Sequence, residues 1–352
     1  MMKTKKTSNH TIKSIAKVGG HKTSANFIVV SVLLIFCLGF TACHHKQPAA
    51  IAQEDLIEIH RFEQVLFLTP SGQIQEKLTE VKDEFNSPLL NVLPENEVFI
   101  QQVTGFVEDP TMGMIYKLVD SSFSNIEWLQ EDLTRAINQA KQLCPEIKCN
   151  RIFTMITGNL DYESRVFCDD HDLVISLDQY VIPHMEEYGY FGLPYYLVNL
   201  SRPQYIVPDC ITALIQNRIV MPKEPLSLLD QMIMEGKTLY ALKQILPDYD
   251  DTLLMRYTED QWNWMTHNEE TVWSYLLQNQ LLFNNDYMQF HNFIEEAPKT
   301  NCFMDSAPRT GCYLGWKIVE AYMTNSNETL SELLANNDSQ KILSNSHWRP
   351  KK

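Results

Sequence analysis

Gly236 lies in the middle of Ser227-Leu-Leu-Asp-Gln-Met-Ile-Met-Glu-Gly-Lys-Thr-Leu-Tyr-Ala-Leu242, and it constrains the fold more than any other residue. Leu228, Leu229, Met232, Ile233, Leu239 and Leu242 recur at helical spacing, which predicts a helix with one buried face. A glycine inside a helix costs about 1 kcal/mol relative to alanine, so it usually marks a close approach by another backbone. Glu235, beside it, is therefore either a metal ligand, a remnant of one, or a structural charge that Lys237 could tie to the helix surface.

The N-terminal stretch must be set aside before the fold is read. Six lysines and no acid precede Cys43, and residues 27–40 form an apolar run of 14, short for a bilayer span. This is the pattern of a secretory leader. The run ends in Phe40-Thr41-Ala42-Cys43, which is similar to a lipobox, with Phe40 where Leu is preferred. The expected organisation is a leader over 1–42, a lipidated Cys43 opening a short tether over 43–53, and a single globular domain over 54–352.

Removing the six leader lysines leaves 23 basic side chains against 44 acidic ones, a formal charge of −21. That balance excludes nucleic acid as a partner and makes the lipid anchor the expected membrane contact. Cys144 and Cys149, and Cys302 and Cys312, each bracket a short loop and are candidate disulfides outside the cytoplasm. Cys168 and Cys210 read as buried thiols.

Amphipathic helices are predicted from Ile74 to Phe85 and from Ile126 to Ala140, the second opened by a Ser124 and Glu127 capping box, with further helix over Glu97 to Val107 and Met112 to Val119. Arg151 to Thr157, Arg165 to Phe167 and Asp172 to Leu177 read as short strands separated by turns at Gly158-Asn159 and Asp169-Asp170. Two hairpin-like turns predict a small, largely antiparallel sheet in the middle of the chain, with Ile57 to Ile59 as a fourth strand. An aromatic loop over 183–203 follows. Helices are then expected from Pro208, through Glu235, and from a Thr258 and Gln261 cap into a Trp-rich segment. The class is α+β, predominantly helical.

Catalytic motifs are missing. No HExxH occurs, none of the ten histidines has another four residues away, and there is no G-x-S-x-G, G-x-x-x-x-G-K-S/T or G-x-G-x-x-G. Asp169-Asp170-His171-Asp172 reads as a solvated turn, and no cofactor is expected.

Several stretches carry a family likeness: Glu58-Ile-His-Arg-Phe-Glu63, Ile152 to Gly158, Ser176-Leu-Asp-Gln-Tyr180, Gly192-Leu-Pro-Tyr195, Leu228 to Tyr240, Tyr257-Thr through Gln261-Trp, Asn268-Glu269 through Trp273, Ser306 to Gly311, Gly315 to Tyr322 and Ser344 to Pro350. In this order they resemble the gliding motility lipoprotein GldB family of the Bacteroidota across the mature region. The resemblance implies a cell-envelope lipoprotein, periplasm-facing, that supports the gliding or type IX secretion apparatus, or its counterpart in a non-gliding bacterium, by binding other envelope proteins. The family in turn looks distantly like zinc peptidases, in which a strand precedes an HExxH helix and then a Glu-Gly helix, so a zincin-like core is expected. Pro208-Asp209-Cys210-Ile211-Thr212 lacks both histidines. Asp209, Glu235, Gly236 and Asp178 are then the candidates for a degenerate, metal-free site. A non-enzymatic binding protein is the favoured reading. The alternatives are a residual metal-dependent hydrolase using Asp209, Glu235 and His184 or Asp178, and a ligand-capturing protein with the aromatic loop lining a groove.

Overall fold

In the computed structural model, which describes residues 56–159, 162–169, 171–185 and 193–351, the first helices wrap a small sheet and the later ones build the larger core. The expected leader, Cys43 and the tether lie outside the described residues, as do Asp170 and residues 186–192 of the aromatic loop. Ile51–Lys352 form one compact unit. No helix among the described residues is long and apolar enough to cross a membrane.

The chain runs through β1 (Ile59–Arg61), α1 (Phe62–Phe67), α2 (Ile74–Glu80), α3 (Glu97–Glu108), α4 (Pro110–Ser122) and α5 (Glu127–Leu143) before β2 (Arg151–Met155), β3 (Val166–Cys168) and β4 (Asp172–Ser176). The capping box expected at Ser124 does not form. Instead the Glu127 N–H donates to Asn125 Oδ1 at 2.8 Å, and the helix starts there.

The sheet is mixed, which corrects the antiparallel expectation. Its order is β1-β2-β4-β3; β1 and β4 both run parallel to β2, and only β3 is antiparallel to β4. The Gly158-Asn159 segment is therefore not a hairpin turn. Gly158 adopts φ +68°, and the Asp178 carboxylate accepts the Thr157 and Gly158 N–H groups at 3.1 and 3.0 Å, directing the chain away from β2. The second turn is a true hairpin, with Asp169 Oδ1 accepting the N–H groups of His171 and Asp172 at 2.7 and 2.8 Å. β4 sits centrally and is buried along its whole length, so its unbroken apolar run follows from having two covered faces. Phe153 and Val174 pack with Phe62, Leu66 and Leu78 on one face, while Ile152, Leu173 and Ile175 join the larger core on the other.

After β4 come α6 (Ile206–Gln216), α7 (Leu228–Ile245), α8 (Asp251–Met255), α9 (Glu259–His267), α10 (Glu269–Gln278), α11 (Thr310–Asn325), α12 (Leu330–Ala335) and α13 (Ser339–Ser346). Capping boxes open α7 at Ser227 with Asp230, and α9 at Thr258 with Gln261. The Trp-rich segment divides into α9 and α10 at Asn268, whose side-chain amide donates to the Trp264 carbonyl at 2.7 Å.

α7 crosses α11 with the two backbones in contact. A Cβ on Gly236 would stand 2.3 Å from the Gly315 carbonyl oxygen, and one on Gly315 would stand 1.8 Å from the Met232 carbonyl oxygen. The close approach predicted for Gly236 is this crossing. Lys237 turns into the same packed region, where its Nζ donates to the Asn336 carbonyl, and burial lowers its pKa to about 8. It does not partner Glu235.

Candidate functional site

Several segments distant in sequence converge on a cavity of about 740 Å³, within the range of small-molecule sites. Arg165 precedes β3, and its carbonyl accepts the Ser176 N–H at 2.9 Å, which fixes it beside the end of β4. Asp209 lies in the first turn of α6, where the helix dipole favours an anion, and Glu235 lies midway along α7. Arg256 closes α8, Arg309 opens α11, and Glu296 sits in the loop before α11.

These six charges alternate in sign along one wall. Arg165 Nη1 lies 3.1 Å from Asp209 Oδ2, and Arg256 Nη2 lies 2.6 Å from Asp209 Oδ1. Arg256 Nη1 and Arg309 Nη1 approach Glu296 Oε1 at 3.8 and 3.2 Å, and Arg309 Nη2 reaches Glu235 Oε2 at 3.0 Å. The result is a ladder, Arg165–Asp209–Arg256–Glu296–Arg309–Glu235. Arg256 and Arg309 both adopt left-handed backbone, with φ of 62° and 48°. Such a conformation costs a residue with a side chain about 1 kcal/mol or more, and it persists only where the surroundings impose it. Both strained positions direct a guanidinium into the ladder.

The inner end is the most enclosed. The Tyr180 hydroxyl donates to Asp209 Oδ2 at 2.8 Å, and Arg165 also donates to the Leu200 carbonyl at 3.0 Å and to Ser201 Oγ at 3.3 Å. The Arg165 guanidinium lies 3.6 Å from the centroid of the Tyr162 ring, a cation–π contact, and Arg256 donates to the Tyr162 hydroxyl. Burial, and then the charge on Asp209, push the Tyr180 phenol well above its ordinary pKa, so it remains a donor. Burial disfavours the charge on Arg256, but Asp209, Tyr162 and Glu296 outweigh it and raise its pKa. At the outer end the Tyr287 hydroxyl donates to Glu295 Oε1 at 2.7 Å, and burial followed by Glu295 pushes its pKa up to about 12.

Asp209 and Glu235 therefore line one cavity, but each is paired with arginine. A zinc site needs converging nitrogen, sulfur or carboxylate ligands with lone pairs to spare. Among the described residues no three His, Cys, Asp or Glu side chains form such a group. The side chains present do not fit a zinc ion.

The other sequence candidates lie elsewhere. Asp178 is buried beneath the turn after β2, where the Thr157 hydroxyl also donates to it at 3.1 Å, and it is not part of the cavity wall. Burial pushes its pKa up to about 6 against these hydrogen bonds. His184 is exposed in a short turn away from the cavity. Gly236 faces the α11 crossing. Cys144, Cys149, Cys302 and Cys312 are free thiols, contrary to the pairing expected from their spacing. Cys144 Sγ donates to Glu146 Oε2 at 3.3 Å, Cys149 Sγ to the Arg151 carbonyl at 3.8 Å and Cys312 Sγ to the Ile294 carbonyl at 3.4 Å, so the thiols point to separate acceptors.

Sequence reasoning missed Arg165, Arg256, Glu296, Arg309 and Tyr162 as parts of one site. The available signal was an arginine set in apolar or turn-forming surroundings, as in Leu-Leu-Met-Arg256-Tyr and Ser-Ala-Pro-Arg309-Thr-Gly. Nothing local says that these arginines meet.

A family model described as gliding motility protein GldB matches residues 44–350. No curated protein and no solved structure matches the chain.

Proposed function

The chain belongs to the gliding motility protein GldB family, and from that premise we propose that it is a non-catalytic binding protein of the cell envelope. In this reading acyl chains on Cys43 hold residues 54–352 close to a membrane, periplasm-facing, and the globular part supports the gliding or type IX secretion apparatus, or its counterpart in a non-gliding cell, through other envelope proteins. A family of lipoproteins fits such anchoring. Zinc-peptidase ancestry is part of the same proposal: β4, α6 and α7 follow one another as the strand, first ligand helix and Glu-Gly helix of that architecture would.

The observation that carries the reading is the pairing of both Asp209 and Glu235 with guanidinium groups. A carboxylate whose charge a guanidinium already compensates is a weaker metal ligand and a weaker general base than a free one. Arginine stays charged across the physiological range, so that compensation persists.

Cell fractionation with crosslinking tests the proposal. The wild-type protein should partition with membranes and crosslink reproducibly to the same envelope proteins, while Cys43→Ser should be lost from the membrane fraction. Equal membrane partitioning of Cys43→Ser, or no reproducible crosslinked partner, would contradict it.

A further inference from the structure

A surface of different character lies at the C-terminal end of α10. Between Glu270 and Asp286 the sequence holds no acid, no base and no histidine, in a chain whose formal charge is −15. Leu276, Leu277, Leu282, Phe283, Gln280 and Asn284 line a groove of about 470 Å³ there, four apolar side chains with two amides. Leu277 is 49% exposed and Phe283 60%, which leaves apolar area in water at a cost. The segment that presents them is pinned. The Leu228 and Leu229 N–H groups donate to the Asn284 and Leu282 carbonyls at 3.0 and 2.9 Å, so the start of α7 holds both neighbours of Phe283. The Leu281 N–H donates to the Leu276 carbonyl at 2.9 Å, and Gln280 takes left-handed backbone, with φ of 55°, to make that turn. A fixed and strained turn that holds a phenylalanine out to solvent marks a contact surface.

We propose that this groove is a second membrane contact, at which Leu277 and Phe283 enter a lipid surface once acyl chains on Cys43 have anchored the chain. The proposal rests on the anchored reading and adds to it the face that meets the bilayer. The 13 residues from Cys43 to Asp55 reach about 45 Å at full extension, comparable to the breadth of a domain of this size. The anchor therefore keeps the bilayer within reach of the groove. Charge then favours this face, because lipid phosphates repel acidic surface and residues 271–285 carry no charge. An aromatic and an aliphatic side chain bordered by amides suit the interfacial layer, where apolar groups insert and polar ones stay hydrated. Size argues against a protein partner, since the six lining residues fall well short of the roughly 20–30 on each side of a standard protein interface. An anchored chain needs less, because the tether raises the local concentration of lipid around the groove.

The test uses the full-length chain purified from the membranes of cells that express it and reconstituted into phosphatidylcholine vesicles, with intact mass reporting the acyl chains. Phe283→Cys and, as a control, Val98→Cys, at a position 62% exposed beside Glu97, are each made in a Cys302→Ser background, because Cys302 is exposed. Each is labelled with an environment-sensitive fluorophore, and the background protein labelled alike corrects for the remaining thiols. On reconstitution the label at 283 should shift to the blue and be quenched by spin-labelled lipid, and the label at 98 should do neither. Leu277→Asp should abolish the shift at 283, and both positions are exposed, so the fold tolerates these changes. An acylated, vesicle-bound protein whose 283 label stays water-like would overturn the inference. So would a shift that follows protein concentration without vesicles, which marks a second copy, or a shift that Leu277→Asp leaves unchanged. An unacylated chain whose label still shifts on vesicles removes the anchor and keeps the groove, whereas an unacylated chain with no shift removes both.

Discussion

The two sides of α7 solve different problems with adjacent residues. Gly236 faces α11 in a dry crossing where two backbones touch, whereas Glu235, one position earlier, faces a cavity walled by alternating charges. The crossing has no room for a methyl group, and the cavity has room for a ligand. The Glu-Gly pair thus need not be one functional unit: the glycine is explained by packing and the glutamate by Arg309.

The largest effect expected is at the crossing. Gly315→Ala drives a Cβ into the Met232 carbonyl, and because backbone cannot yield as a side chain can, the loss should be on the order of 4 kcal/mol or more, read from urea unfolding or failure to accumulate soluble protein. A variant melting within a few degrees of wild type would erase the contrast between the two sides.

Next comes the inner rung of the cavity wall. Asp209→Ala leaves Arg165 and Arg256 without their shared carboxylate in a buried setting, and should cost about 3–5 kcal/mol. Arg165→Ala made alongside it should show strong non-additivity, since both act through one pair.

Asp178 provides a carboxylate of the opposite kind, held by backbone N–H groups and no arginine. Its folded-state pKa of about 6 exceeds the unfolded value, so the unfolded chain loses the proton first as pH rises. Its contribution is therefore fully present below about pH 4 and lost as pH rises through 6, a change of about 3 kcal/mol. Urea unfolding across that window should show the decline, and Asp178→Asn should flatten it. An unchanged slope in the variant would remove Asp178 as its source.

Glu296→Gln should have the smallest effect, about 1 kcal/mol or less, because the side chain is part-exposed and Arg309 keeps Glu235. A loss as large as that of Asp209→Ala would show that the ladder acts as one cooperative unit.

Much of this was legible in the sequence where the cause is local. The spacing in Leu228 to Leu242, the glycine cost at 236 and the Thr258–Gln261 cap each act over a few residues, and the elements form where those forces predict. The sheet was harder. The apolar run Leu173-Val174-Ile175 fits a central strand with parallel partners, but the Gly158-Asn159 pair imitates a hairpin, and only the distant Asp178 carboxylate shows where that turn goes. The cavity was least legible. Asp209 and Glu235 could be singled out, whereas the rest of the ladder comes from positions 165, 256, 296 and 309, and no periodicity links charges that far apart. Lys237 was misread because a short offset along a helix suggested a surface pair, whereas its side chain is buried and donates to the Asn336 carbonyl at the end of α12.

The most direct test of the central claim, that arginine holds the carboxylates at Asp209 and Glu235 in place of a metal, is equilibrium dialysis of the folded protein against zinc followed by elemental analysis. The ladder predicts no stoichiometric zinc and no difference between wild type and Glu235→Ala. One zinc per chain, lost in Glu235→Ala, would contradict it.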